Sequence, residues 1–169
     1  VRLFILSDSP PEKDIQWSES GMSAAYKFIQ KFWLMTDGII NLTQETRTEV
    51  LDEKIDIFTN QSIDKINFAL EKFRYNVIIA TFHDIYNFYI KILETKKNSK
   101  NLKENFEKIL IIMMPVIPHL ASESLDILNN KLEVKWPEII EKFLETNEKE
   151  IVIQINGKKR GNILINKSI

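Results

Sequence analysis

The residues of this chain whose types and spacing best suit a chemical task form a short basic run: Lys158, Lys159 and Arg160. They follow Asn156-Gly157, a pair typical of a two-residue hairpin turn, and apolar residues alternate with polar ones on both sides of that pair. From Ile151 to the last residue the chain has four basic residues and no acidic one, whereas its formal net charge is −1. Such local positive charge suits an anionic partner, although basic residues also keep edge strands soluble.

The turn also predicts how the two runs pair. Gln154 is expected opposite Lys159, and Ile153 opposite Arg160. The tip of the hairpin is then polar and its open end apolar, which indicates a hairpin anchored by its base on a larger body.

No group of residues in the sequence has the spacing of a reaction centre. There is no Gly-rich phosphate loop, and the absence of Cys excludes thiolate chemistry and disulfides. The chain has only two His residues, so a zinc site is not expected. The carboxylates near the start of the chain are expected to be exposed loop residues and not an acid pair: Asp8, Glu12 and Asp14.

Both histidines fit structural roles. His119 follows Pro118 in the first turn of an expected helix, where the helix dipole disfavours imidazolium, so a neutral, hydrogen-bonded ring is expected. His83 shares a polar stripe at helical spacing with Asn76, Ala80 and Asn87. This stripe is interpreted as a hydrogen-bonded seam between helices, with a face for RNA as the alternative.

The apolar positions elsewhere repeat with the period of an α-helix, which predicts an antiparallel helical bundle. Ser18 is expected to cap a helix whose apolar positions include Ala24, Phe28, Phe32 and Trp33. Aromatic and Met residues in the bundle are expected in the core. The other helices are predicted from about Leu51 to Phe73, from about Asn76 through Leu93, from about Asn101 to Pro115, and from Pro118 to Asn129-Asn130.

The 169 residues are 44% hydrophobic and 28% charged, enough for one compact domain with an appendage. The most apolar run, Ile109 to Ile117, is too short to span a membrane, and no signal peptide opens the chain. With the lack of Cys, this predicts a cytoplasmic protein with no membrane partner.

Two further charged segments divide the chain. The predicted loop around Thr95 has a run of lysines that fits a solvated turn and, less well, a phosphate contact: Lys96, Lys97, Lys100 and Lys103. Glu138 to Glu150 contains five acidic and two basic residues directly before the basic hairpin. This acidic stretch predicts a linker, with a domain boundary near Asn147.

Several short motifs follow one another along the chain: Ser9-Pro10-Pro11-Glu12, Trp17-Ser18-Glu19-Ser20-Gly21, Arg74-Tyr75-Asn76, Pro115-Val116-Ile117-Pro118-His119, Trp136-Pro137 and Gln154-Ile155-Asn156-Gly157-Lys158-Lys159-Arg160-Gly161. Their order resembles the C-terminal part of the leucyl-tRNA synthetases of bacterial type, a family of class I aminoacyl-tRNA synthetases. Two of them depart from the family pattern, at Val77 and Ile78 and at Ser124-Leu125. The resemblance covers essentially the whole chain, and the last motif separates the leucine enzymes best from their valine and isoleucine relatives.

The resemblance implies a mainly α fold in three parts. Residues 1–16 would be a stem after the catalytic domain, residues 17–147 a helical anticodon-binding-type domain, and residues 148–169 the start of a small C-terminal tRNA-binding domain. The catalytic, ATP-binding and editing sites of the family would lie upstream of Val1. We therefore expect no cofactor or metal site in this chain, and ATP with Mg²⁺ as ligands of the full-length leucine--tRNA ligase.

The implied partners are tRNA(Leu) and the upstream catalytic domain of the same polypeptide, in a monomer. In the bacterial leucine enzymes the family pattern is binding without dependence on anticodon bases. The residues predicted to contact tRNA are Lys27, Lys31, Arg74, Lys158, Lys159 and Arg160. Arg74 has an alternative, an ion pair with a helix acid. Two other interpretations of the chain remain: the same region of a valyl- or isoleucyl-tRNA synthetase, and a helical protein-interaction module that binds no RNA.

Overall fold

The fold was obtained as a computed structural model, which describes residues 1–8, 12–44, 51–96, 98–129, 134–144, 148–155 and 158–166. These ranges are mainly helical, as predicted. The elements are α1 (Arg2–Asp8), α2 (Glu19–Gln44), α3 (Glu53–Glu71), α4 (Tyr75–Thr95), α5 (Leu102–Met113), α6 (Pro118–Asn129), a 3₁₀ turn (Glu141–Phe143), β1 (Glu148–Ile155) and β2 (Lys158–Asn166).

The chain divides into two compact units, Val1–Ile139 and Ile140–Ile169. The first unit contains the six helices, and the second contains the 3₁₀ turn and the two strands. Asn147, where the sequence predicts a domain boundary, lies outside the described residues.

Several helix ends follow from single residues. The backbone N–H of Gly21 donates to Ser18 Oγ at 3.2 Å, so Ser18 caps α2 as predicted. Asp52 caps α3 by accepting from the backbone N–H of Lys54 at 3.1 Å. Pro118 is the first residue of α6, where its missing N–H costs no helical hydrogen bond.

The core of the first unit lies between the helices, and its largest fully buried side chains come from α2 to α5. Helix α3 packs on α4 and α5, α2 packs on α4, and α5 packs on α6. The core includes Phe32, Ile39, Ile63, Ile66, Phe82, Ile85, Tyr89, Phe106 and Ile109. Burial raises the pKa of the Tyr89 phenol above its ordinary value, and the nearby Thr59 hydroxyl opposes this shift to a smaller extent.

Helix α1 is not among the predicted helices. It packs on α4 and α2 and buries Leu3 and Phe4. Gly21 allows this close approach, because a Cβ at position 21 would lie 2.5 Å from a ring carbon of Phe4. The ring of Phe4 also meets that of Trp17 edge-on, with centroids 5.6 Å apart.

Several predicted core residues are exposed, and the aromatic ones include Tyr26 on α2 and Phe68 on α3. Trp33 keeps 37% of its accessible surface and Phe73 keeps 60%, and Ala24 is exposed as well. Trp33 and Ala24 lie outside the buried row of α2, which includes Phe28, Phe32, Met35, Thr36 and Ile39. Phe73 lies beyond the end of α3, at the corner that leads into α4.

A polar network ties the beginning of α3 to the beginning of α5. Asp56 accepts from the side-chain amides of Asn101 and Asn105, each at 2.7 Å. Asn101 also donates to the backbone carbonyl of Asp52 at 2.9 Å and accepts from its N–H at 3.2 Å. Both asparagines are buried, and this network gives hydrogen-bond partners to both of their side-chain amide N–H groups, whereas Asn105 Oδ1 has none among the described residues.

Strands β1 and β2 pair antiparallel. Gln154 lies opposite Lys159, in the register expected from a two-residue turn, whereas the turn residues 156–157 lie outside the described range. Ile153 lies opposite Gly161 and not, as predicted, opposite Arg160. The register shifts at this point, which leaves Arg160 as the extra residue of an irregularity in β2.

Candidate nucleic-acid interface

Two of the predicted contact residues, Lys27 and Lys31, lie one turn apart on α2 and are exposed. The sequence of α2 has no acidic residue between Glu19 and Asp37. Within the described residues the ion pairs are those of Lys65 with Asp84 and of Lys108 with Glu104, so neither lysine of α2 is paired. Both ammonium groups are therefore available to an anion.

A shallow groove of about 540 Å³ runs beside these lysines. Its lining residues are Lys27, Ile29, Gln30, Lys31, Trp33 and Leu34. Leu34 is 70% exposed, and Tyr26 on the same helix is 63% exposed. The Gln30 amide donates to the Tyr26 hydroxyl at 3.0 Å and so links the groove to this second aromatic residue.

Arg74 lies at the corner between α3 and α4. Its guanidinium is 5.9 Å from the centroid of the Phe68 ring, within the range of a cation–π contact. No carboxylate within the described residues forms an ion pair with it, so the alternative of a helix acid as its partner is not found there. Arg74 lines a second groove, of about 550 Å³, together with Glu12, Lys72, Phe73, Asn76 and Val77. Glu12 offsets part of the positive charge of Lys72 and Arg74, so this groove suits phosphate less well than the groove beside Lys27 and Lys31 does.

The remaining predicted contacts lie in the second unit. Lys158, Lys159 and Arg160 begin β2, and their side chains lie outside the part that the structure describes. The predicted roles of these three residues therefore stay predictions.

The prediction of a hydrogen-bonded seam between helices at His83 is wrong. His83, Ala80 and Asn87 are exposed, and the His83 ring forms no hydrogen bond within the described residues. The ring does contact α2, because its centroid lies 4.2 Å from that of Phe28.

The other polar candidates have simple environments. His119 is exposed in the first turn of α6 and, contrary to expectation, has no hydrogen bond in the described part of the chain. Glu12 and Asp14 are exposed, as expected of loop carboxylates, and the side chain of Asp8 lies outside the described part. Among the lysines near Thr95, those at 96, 100 and 103 are exposed, and Lys97 lies outside the described residues.

Two features, a metal site and a membrane-spanning helix, are absent from the described ranges. They contain no group of three or more His, Cys, Asp or Glu side chains that could hold a metal ion. None of their helices is long and apolar enough to cross a membrane.

Sequence reasoning missed the aromatic members of the α2 surface, Tyr26 and Trp33. At about 100° per residue, both lie on the side of the helix away from Phe28, Phe32 and Met35. A helical projection centred on those three buried residues would have indicated their exposure.

The chain was compared with known proteins. Residues 52–169 match the family described as the anticodon-binding domain of tRNA ligase. Leucine--tRNA ligase of Fusobacterium nucleatum is 31% identical over 99% of this chain and 21% of its own length. The corresponding protein of Orientia tsutsugamushi is 36% identical over 95% of this chain and 19% of its own length.

These matches confirm the resemblance to leucyl-tRNA synthetases, and they show that the chain spans about a fifth of the length of these curated relatives. A solved leucyl-tRNA synthetase from Agrobacterium radiobacter, in a ternary complex with tRNA and LeuAMS, has a similar fold. Its TM-score is 0.75 at 18% identity, over 99% of this chain and 23% of the other. With most of its length matched, the chain belongs to the family of tRNA ligase anticodon-binding domains.

Proposed function

We propose that this chain is the part of a leucine--tRNA ligase that binds and orients tRNA(Leu). The carrying observation is the pair of exposed, unpaired lysines on α2 in a chain of the anticodon-binding family. The curated relatives quoted above are leucine enzymes, which favours leucine over valine or isoleucine as the amino acid of the parent protein.

The chemistry of such a part is electrostatic. Lys27 and Lys31 would contact phosphates, which fixes the register of the RNA on the helix without reading its bases. Arg74 would add a weaker contact, because Glu12 shares its groove. Binding of this kind is equal in the ground state and the transition state, so it lowers the concentration of tRNA needed and holds its acceptor end in place.

Strands β1 and β2 would be the beginning of the small C-terminal tRNA-binding domain. The catalytic domain of the same polypeptide would bind leucine, ATP and Mg²⁺ and carry out the ligation in a monomeric cytoplasmic enzyme. This chain would contribute no reacting group, and we expect it to show no leucine-dependent pyrophosphate exchange by itself.

Salt-dependent binding tests the proposal. Titration of the chain with a tRNA(Leu) transcript at several salt concentrations gives the slope of log affinity against log salt. The double variant Lys27→Ala/Lys31→Ala should bind more weakly and flatten this slope by about 1.4 to 1.8, since each phosphate contact contributes about 0.7 to 0.9.

The matched control is Lys65→Ala/Lys108→Ala, which removes the same charge from lysines already paired with Asp84 and Glu104. It should leave the slope within about 0.5 of the unchanged chain, below the effect of one phosphate contact. Equal slopes and affinities for both double variants would overturn the proposed role of α2. A chain with no salt-sensitive RNA binding at all would favour a protein-interaction module.

A further inference from the structure

We propose that the outer face of α2 binds unpaired RNA nucleotides, with bases stacked on Trp33 and on Tyr26, two turns away, and phosphates held by Lys27 and Lys31. This inference rests on the proposed function and names the kind of RNA structure that the same surface recognises. It also assigns binding roles to Tyr26 and Trp33, two aromatic residues that the sequence alone predicts to lie in the core.

The first observation is the arrangement of side chains around α2. At about 100° per residue, Lys27 and Lys31 form a row along one side of the exposed face of α2. Tyr26 and Trp33 form a second row on the other side, and Gln30 lies between the two rows. A nucleotide that lies across the helix would therefore meet positive charge at one end and aromatic rings at the other.

The groove beside these rows is large enough for a nucleotide. The groove lined by Lys27, Lys31, Trp33 and their neighbours has a volume of about 540 Å³. This lies within the range of about 300 to 1,000 Å³ found for small-molecule sites. Gln30 donates one amide hydrogen to Tyr26 and keeps its carbonyl oxygen available to a base edge.

Exposure and charge carry the next step. Tyr26 is 63% exposed and Trp33 is 37% exposed, although both have large apolar rings that a core would bury. No acidic residue of α2 lies between Glu19 and Asp37, so the part of the helix that has the two lysines of the groove is free of negative charge. The exposed Asp37 follows one turn after Trp33. Aromatic rings beside unpaired cations are the usual composition of surfaces that bind single-stranded RNA.

The same composition disfavours a protein partner. Lys is depleted in the centre of protein interfaces, where its strongly hydrated ammonium group would lose water. Here Lys27 and Lys31 are two of the six residues that line the groove. RNA keeps such groups paired with phosphate, so the surface is better matched to RNA than to an apolar protein face.

Trp33 itself provides the readout. The chain has three Trp residues, and Trp17→Phe/Trp136→Phe leaves Trp33 as the remaining indole. The probes are a 12-nucleotide oligouridylate and a duplex RNA of the same length. Saturable quenching of Trp33 fluorescence by the single strand, and clearly less by the duplex, is the expected result. Equal quenching by both probes, or no quenching, would overturn stacking.

Substitutions separate stacking from charge. Trp33→Ala should weaken binding of a tRNA(Leu) transcript by about 5- to 150-fold, the range found for loss of one stacked base, with an unchanged salt slope. Trp33→Phe should bind within about threefold of the unchanged chain, because it keeps a ring that stacks. The matched control Trp136→Ala removes another exposed indole and should leave RNA affinity unchanged.

The outcomes distinguish this inference from the proposed function. If Lys27→Ala/Lys31→Ala weakens tRNA binding while Trp33→Ala does not, the tRNA-binding role stands and the stacking role is overturned. If neither change has an effect, α2 does not bind tRNA, and the stacking role is overturned together with the proposed role of its lysines. Acrylamide should quench Trp33 in the full-length protein without RNA, and shielding of Trp33 there would mean that another part of the polypeptide covers this face, which also overturns the inference.

Discussion

Phe73 shows how a single residue sets the corner between α3 and α4. Its φ of 53° lies in the left-handed region, which is rare for an aromatic residue. The N–H of Arg74 bonds the carbonyl of Ala69 at 2.8 Å, and the N–H of Phe73 bonds that of Leu70 at 3.1 Å. This is a Schellman motif with Phe at the position where helices usually place Gly, so the helix end is closed at the cost of local strain.

Replacement of this residue is therefore expected to stabilise the fold. Phe73→Gly should raise the free energy of unfolding by about 0.5 to 1 kcal/mol, because relief of the left-handed strain exceeds the added entropy of the unfolded chain. Little buried surface is lost, since Phe73 is 60% exposed. Urea unfolding of both proteins measures the change.

The control for this prediction lies on the same surface. Phe68 is exposed near the end of α3 but is helical, so Phe68→Gly should destabilise by about 1 kcal/mol, from the lower helix propensity of Gly and the lost cation–π contact with Arg74. A Phe73→Gly variant that loses stability to the same extent would show that the corner is not strained.

The elements could be predicted to different extents. Ser18 and Pro118 mark helix starts through local chemistry, and the structure confirms both. Helix α1 has seven residues, too few to display a helical period, so its apolar run gave no helix prediction. Its position depends on the contact of Phe4 with Gly21. These two residues are too far apart in the sequence for a local pattern to relate them.

The α2 surface illustrates the same limit. Spacing of four residues places Ile29 and Trp33 in one row and Phe28 and Phe32 in the next, and both rows are apolar. Packing against α4 decides which row is central, and the structure buries Phe28 and Phe32. The exposure of Lys27 and Lys31 was predictable because both lie outside the two apolar rows. The exposure of Trp33 depended on tertiary packing.

The network at the start of α3 and α5 gives a prediction at the scale of elements. Asn101→Ala removes hydrogen bonds to both Asp52 and Asp56 and leaves the Asp56 carboxylate with fewer donors. We expect a loss of about 2 to 3 kcal/mol in the free energy of unfolding, because hydrogen bonds to charged groups are stronger than neutral ones. Thermal or urea unfolding followed by circular dichroism measures it.

Asn87→Ala is the matched control, since Asn87 is exposed on α4 and forms no side-chain hydrogen bond within the described residues. It should change stability by less than about 0.5 kcal/mol. Similar effects of the two substitutions would show that the network does not hold α3 against α5.

For the whole molecule, charge is distributed unevenly along the chain. The acidic stretch Glu138 to Glu150 precedes a segment that has four basic residues and no acidic one from Ile151 onward. The basic run begins β2, directly after the residues where the hairpin turn is predicted. The positive charge of the second unit is therefore concentrated at the start of β2.

The last prediction concerns this basic run. If all three residues contact tRNA phosphates, replacement of Lys158, Lys159 and Arg160 by Ala should weaken binding of a tRNA(Leu) transcript. The slope of log affinity against log salt should flatten by about 2 to 3, because each lost contact removes about 0.7 to 0.9. Leucine activation by the full-length protein should not change, since its site is proposed to lie in another domain.

Salt titrations of the unchanged and substituted proteins, run side by side, measure this difference. The control is Lys65→Ala/Lys108→Ala/Lys142→Ala, which removes the same charge from two ion-paired lysines and from Lys142, whose ammonium lies 4.3 Å from the centroid of the Phe143 ring. Parallel lines with equal affinity for the basic-run variant would mean that its charges only keep an edge strand soluble. The proposed binding of RNA would then depend on Lys27 and Lys31 of α2, which the substitutions in β2 leave unchanged.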